Sequence, residues 1–556
     1  MRREHKFLLS SIIALGFFLR LYGIVFDNLF LLHPDERAIV MFTVPLSLPY
    51  SIHDFFSVSS PLNPHFFAYG SFPLYLLKYL SNLLSLFFPS LNTYPDMALV
   101  GRSISTIADS ITIFIVFLIA KKIFEVKTGL FSAFLYSIAV FPIQTSHFYA
   151  VDILLNTLIY LTILFCLKLL ENHAIKNIFL IGAFFGLSLA TKISSILLII
   201  PVVLSLVFLL KTFGRKQMFK ILTLLSISIV TAVLVFVLTE PYALIDWQTF
   251  LRQTQEQSQM TKTAFAFPYT LQYVGKTPYL YEIKNITLWG MGIISSILVV
   301  IGMFITAFKF KALKGLQKKA LFIILSFTII YFLIVGKFAV GWMRYMLPLY
   351  PLLCIFGGVA LFSIYKNGIK KFFANSKALQ MLSLSLLLVL CSIWTLSFMN
   401  IYLQKNTRVE ASEWIHQNIP PTSKLAVEHW DDPLPLYGGS KYEFLTLPLY
   451  DVDTNGKWEL IHATLNRADY IIISSNRLSV PLQKLTNCNK LPSNYCYSKT
   501  SQYYTDLFSE KLGFKKIMEF STSPTIPFFN YEIDDQMADE SFTVYDHPKV
   551  IIFKKQ

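Results

Sequence analysis

Residues 7–26 read FLLSSIIALGFFLRLYGIVF, and LLHPDER follows almost directly at 31–37. The first stretch has membrane length, because about 20 apolar residues in a helix cross the roughly 30 Å hydrocarbon core of a bilayer. The second sets two adjacent carboxylates, Asp35 and Glu36, where the chain leaves that core. Ionisable groups at a membrane are costly and mark functional sites. The first stretch therefore bears on the fold, and the second on what the fold is for.

The same alternation continues along the chain. Of 556 residues, 54% are hydrophobic and 15% charged, whereas a soluble domain carries about 25% charge. Apolar runs recur near 98–119, 128–146, 149–169, 177–191, 194–210, 219–238, 286–308, 320–336, 345–365 and 379–401. With 7–26 they predict about eleven spans. The apolar region 66–89 is interrupted by Gly70, Pro73 and Lys78 and reads as helices lying in the interface. The net charge of +15 is not a nucleic-acid signal. Its cations sit in short clusters between apolar runs, such as Lys121, Lys122 and Lys127, or Lys309, Lys311 and Lys314, in alternate loops. By the positive-inside rule those loops and the N-terminus are cytoplasmic, and the polar tail is extracytoplasmic. Segment 7–26 lacks a small-residue cleavage site and reads as an uncleaved anchor. The expected organisation is a mainly α transmembrane domain over 1–401 and a small extracytoplasmic α/β domain over 402–556.

The loops on the outer side are chemically selective. The first holds His33, Asp35 and Glu36, with Pro34 fixing the backbone. QTSHFYAVD (144–152) brings His147 and Asp152, Thr191 precedes Lys192, EPYALIDW (240–247) brings Glu240 and Tyr242, and GWMRY (341–345) brings Arg344. Arg102 stands near the outer end of its run. Each has a bland reading: acids favour helix N-termini, cations snorkel, and aromatic belts line interfaces. Together they match one chemistry. A carboxylate can take a proton from an acceptor hydroxyl, cations can hold a phosphate leaving group, and an apolar groove can house a lipid tail. No cofactor is required by this set. His33 and His147, with Asp35 or Asp152, are the candidate ligands if a divalent metal takes part.

Seven segments in order resemble the GT-C superfamily of integral-membrane glycosyltransferases, and within it the protein O-mannosyltransferase and aminoarabinose-transferase group. They are HPDE (33–36), NPHFFAYGSFPLYLL (63–77), VGRSISTIADSITIFIVFLIAKKIF (100–124), SHFYAVDILL (146–155), GLSLATKISSILLIIP (186–201), EPYALIDWQTF (240–250) and RYMLPLYP (344–351). The resemblance implies a multi-spanning GT-C fold and an inverting transfer of a mannose-like hexose or related sugar. The donor would be a polyprenyl-phosphate sugar and the acceptor a hydroxyl of a glycan, lipid or protein. It implies Asp35 as base with Glu36 beside it, Asp152 as a second acid, and Lys192, Arg344 and Arg102 as phosphate ligands. The competing reading is a transporter or flippase of a lipid-linked sugar. That function calls for polar residues deep in several spans and for repeat symmetry, and neither is evident.

After Tyr402 the polar tail reads as alternating helices and strands. Thr407–Glu410 reads as a capping box, KLAVEHW as a strand, KWELIHATLNRADYIIISS and DLFSEKLGFKKIMEFS as helix then strand, and the end as a hairpin around Asp546-His547-Pro548. Cys166, Cys354 and Cys391 lie in apolar runs. Cys488 and Cys496 flank a turn-rich stretch on the oxidising side and are expected to form a disulfide.

Overall fold

The structure, a computed structural model, describes residues 2–556, the side chains of Arg215 and Ser493 excepted. Every apolar run is helical. Backbone groups in lipid must be satisfied within the segment, so even these Ile- and Val-rich runs form helices. Among the described residues, eight helices are long and apolar enough to cross a bilayer, including Met97–Ile123, Val151–Asn172, Met218–Thr239 and Gly315–Val335. Val126–Ser137 and Val140–Ser146, bent by 55°, make a ninth if taken as one span. The two other expected runs are Ile175–Leu189, with 15 residues, and Arg3–Leu21, which is charged at both ends. Arg3–Leu21 is nonetheless tied inside the bundle. Arg20 donates to Asp109 at 2.6 Å, both fully buried, and Tyr136 donates to the other Asp109 oxygen. Ile175–Leu189 packs closely on Met218–Thr239 through Gly182 and Gly186. A Cβ on either glycine would lie within 2.5 Å of the carbonyl of Ser228 or Ala232, the close approach that small residues permit between membrane helices.

Two long connections cover one end of the bundle. The first carries Pro34–Thr43 and Ser71–Leu84. Ser71–Leu84 has 14 residues, about 21 Å of helix, too short to cross. The second carries the polar helix Trp247–Lys262.

The tail adds strands β1 (Lys424–Glu428), β2 (Glu443–Leu447), β3 (Tyr470–Ile473), β4 (Phe514–Phe520), β5 (Thr525–Ile526), β6 (Tyr531–Glu532) and β7 (Val550–Lys555). Five form one sheet in the order β2-β1-β3-β7-β4, with β1 parallel to β2 and β3, and β7 antiparallel to β3 and β4. Two local expectations are corrected. The helix cap is Asn406, which accepts from the Arg408 N–H, while Thr407 donates to the Pro548 carbonyl, so no capping box forms at 407–410. No hairpin forms around 546–548. The short helix Glu540–Thr543 precedes that segment, and β7 crosses to the middle of the sheet. Asp546 is instead a docking residue, accepting from Gln144 at 2.9 Å and from the Tyr402 hydroxyl at 3.0 Å. Cys488 and Cys496 are joined as a disulfide.

Candidate active site

The site starts with the cap of Pro34–Thr43. His33 Nδ1 accepts the Asp35 N–H at 3.2 Å, and Pro34, which has no N–H to lose, occupies the first helical position. His33 is buried between Phe148 and Tyr545, and burial pushes it down to about 4, which leaves the neutral ring able to accept. Asp35 and Glu36 follow one another in the first turn. Successive helical side chains diverge by about 100°, so the two cannot serve one site.

Asp35 turns to Arg344, which donates to it directly. Burial alone would raise the Asp35 carboxyl, but Arg344, with help from Tyr69 and Lys192, holds it below the usual carboxylate range. Arg344 Nε also lies 3.8 Å from Asp152 Oδ2, while Lys192 donates to Asp152 Oδ1 at 2.9 Å. Four residues from four distant parts of the chain thus form one alternating row of charge. The row is not saturated, since Asp152 Oδ2 and Arg344 Nε are buried without a hydrogen-bond partner. Lys192 Nζ sits over the Tyr345 ring at 4.7 Å.

Arg344, Lys192 and Asp152 line a cavity of about 420 Å³. Its further walls include Leu155, Leu189, Ile196 and Val335, so a charged head adjoins an apolar passage. Glu240 also lines it, and burial pushes its carboxyl well above the usual range. The floor is held by the first connection. Gly70 N–H bonds to the Thr191 carbonyl at 3.0 Å, and a Cβ there would collide with the Ala190 carbonyl. His65 and Asn63 are fastened to Asp246, and the Phe67 N–H to Gln253.

The other expected residues lie elsewhere. Arg102 donates to Glu36 at 2.9 and 2.7 Å, to Asp27 at 2.9 and 2.9 Å, and to the Ile24 carbonyl at 2.7 Å. All three side chains are fully buried, so this is a saturated ionic knot that leaves no cation for a phosphate. Asp27 escaped the sequence reading because a single acid just past an apolar run carries no spacing signal. His147 sits between the carbonyls of Ile143 and Tyr22 and stacks on Tyr402 at 3.9 Å. Tyr242 donates to Ser60 and Phe55, pinning the first connection. Among the described residues no group of three or more His, Cys, Asp or Glu is placed to hold a metal.

Residues 95–239 match the family described as dolichyl-phosphate-mannose-protein mannosyltransferase, a segment that includes Asp152 and Lys192. No functionally curated protein matches the chain. The fold resembles the archaeal oligosaccharyltransferase AglB from Archaeoglobus fulgidus, solved with an inhibitory peptide and a dolichol-phosphate. Identity is 12%, coverage 96% of this chain and 75% of that one, and the TM-score 0.52. The apo form of the Archaeoglobus fulgidus oligosaccharyltransferase gives 13%, 95%, 75% and 0.53. ArnT from Cupriavidus metallidurans, bound to undecaprenyl phosphate, gives 13%, 85%, 93% and 0.43. The chain is a multi-spanning membrane protein with the fold of the GT-C glycosyltransferases.

Proposed function

We propose that the chain transfers a sugar from a polyprenyl-phosphate carrier to an acceptor hydroxyl on the extracytoplasmic side, with inversion at the anomeric carbon. The observation that carries this reading is the charged row of Asp35, Arg344, Asp152 and Lys192, of which the last three line a cavity with apolar walls. The passage suits the carrier's tail. Lys192 and Arg344 suit its phosphate, and the unpartnered Arg344 Nε is a donor awaiting an acceptor. A neighbouring fold solved with a dolichol-phosphate supports the carrier class.

In the reaction, the acceptor oxygen attacks the anomeric carbon from the side opposite the phosphate. A new C–O bond forms and the bond from carbon to phosphate oxygen breaks. The acceptor proton goes to Asp35. The electron pair leaves with the polyprenyl phosphate, whose added negative charge Lys192 and Arg344 offset. Arg344 links the two ends. When it turns to the phosphate its hold on Asp35 loosens, which raises the basicity of that carboxylate as donor binds. Asp152 orients both cations.

The test is to incubate the purified full-length protein with radiolabelled polyprenyl-phosphate hexoses and native membranes. Label should move from carrier to a second molecule, with the opposite anomeric configuration in the product. Label that crosses the bilayer still attached to its carrier would overturn the reading in favour of lipid-linked sugar transport.

A further inference from the structure

A second cavity, of about 410 Å³, lies between the connection 263–279 and the C-terminal domain, and the chemistry described so far makes no use of it. Its walls include Phe265, Phe267, Tyr450, Tyr495 and Tyr497, with the Asp451 carboxylate at the rim. Two hydroxyls fasten its walls. Tyr495 donates to the Phe265 carbonyl at 2.9 Å, joining the two domains, and Tyr497 to the Tyr450 carbonyl at 2.8 Å. The Cys488–Cys496 disulfide closes the loop that carries Tyr495. Asp451 is exposed and its carboxylate makes no ion pair among the described residues, Lys457 bonding only its backbone carbonyl at 2.8 Å, so the carboxylate oxygens are free to accept.

The rings do not stop at this cavity, and run on through the buried Trp342. Phe267 stacks on Tyr269 with ring centres 5.4 Å apart and planes 5° apart. Tyr269 lies 6.2 Å from both Trp342 and Trp430. Trp342 lies under the Arg344 guanidinium at 5.3 Å, and Arg344 holds Asp35. Trp430 is 45% exposed and holds φ at +75°, a strained conformation for a bulky residue. Such strain persists where the surroundings enforce it, and it clusters at ligand sites. A line of rings therefore leads from Asp35 to a second cavity built jointly by the connection 263–279 and the C-terminal domain.

We propose that this aromatic track is the acceptor site and that the acceptor is an extended carbohydrate chain. Its hydroxyl at one end meets Asp35, and its more distant sugars lie on Phe267, Trp430 and Tyr495. Flat apolar faces suit the C–H faces of pyranose rings, and a free carboxylate beside them suits vicinal hydroxyls. A peptide in an aromatic groove would present Pro-rich faces to the rings, whereas the free Asp451 carboxylate beside them suits hydroxyls. This inference deepens the proposed transfer reaction and rests on it for the role of Asp35.

The test separates the two. Binding of short linear oligosaccharides of mannose, glucose and galactose to the full-length protein is followed by saturation-transfer NMR and by tryptophan fluorescence, without donor. One of them should bind saturably. Trp430→Ala should weaken it about tenfold, and the exposed Asp451→Asn by about threefold. With donor present, both variants should raise KM for that oligosaccharide and leave kcat within about twofold. Absence of saturable binding across the panel would overturn the inference. So would binding indifferent to both substitutions, or a Ser/Thr-rich peptide binding at the same rings. If oligosaccharide binds as described but no sugar is transferred, the carbohydrate site stands and the transfer reaction fails.

Discussion

Two adjacent acids in HPDE have separate work, and the reason is helical geometry. Asp35 faces Arg344, whereas Glu36 joins Asp27 on Arg102. Asp152, Lys192 and Arg344 were legible as site candidates because each is a lone charge at the end of an apolar run, where charge is costly, and Asp35 because it stands with Glu36 just outside the first run. The separation of Glu36 and Arg102 was not legible, because the same cost applies to a structural ion pair and only coordinates show which partner is nearest. This makes opposite predictions for two cations. Arg102→Met leaves two buried carboxylates uncompensated and should cost about 3–5 kcal/mol of stability, seen as a large fall in Tm in detergent. Lys192→Met removes a partly exposed cation from Asp152 and should leave Tm nearly unchanged, while transfer falls by about 10²-fold. Equal Tm losses in the two variants would refute the division.

At the scale of elements, the apolar runs were legible throughout, since membrane length and period leave few alternatives. Where the reading erred, one residue or one turn decided. Asn406 rather than Thr407 caps its helix because Thr407 is engaged by Pro548. The segment 546–548 looked like a turn because Asp and Pro favour turns, yet Asp546 is spent on Gln144 and Tyr402 across the domain contact. The helix Ser71–Leu84 matters most for topology, since counting it as a span would invert every later loop. Single cysteines introduced in 211–220 and 309–319 should label only from the cytoplasmic side. Cysteines in 27–97, 239–285 and the tail should label from the outside. Protection of the tail from an external reagent would require the segment around Ser71–Leu84 to cross.

At the scale of the whole molecule, the C-terminal domain is docked through charge as well as apolar contact. His547 is fully buried between Asp535 at 2.8 Å and Asp546, which also bonds Gln144 and Tyr402. Burial would lower the imidazole, but the two carboxylates raise it to about 10. A raised folded-state value means stability that is complete below the ordinary value near 6.5 and is lost as pH rises toward about 10. Tm should therefore fall over that window, and His547→Gln should be less stable at neutral pH with a flatter profile. A wild-type Tm unchanged from pH 6 to pH 10 would contradict a charged His547. The central claim concerns the charged row beside the apolar-walled cavity, and Asp35→Asn tests it most directly. The amide keeps the shape and can still accept from Arg344, but it cannot take a proton. With equal expression, Tm and carrier binding, transfer of labelled sugar from polyprenyl phosphate should fall by about 10²–10⁴-fold. Transfer at the wild-type rate by this variant would contradict the account.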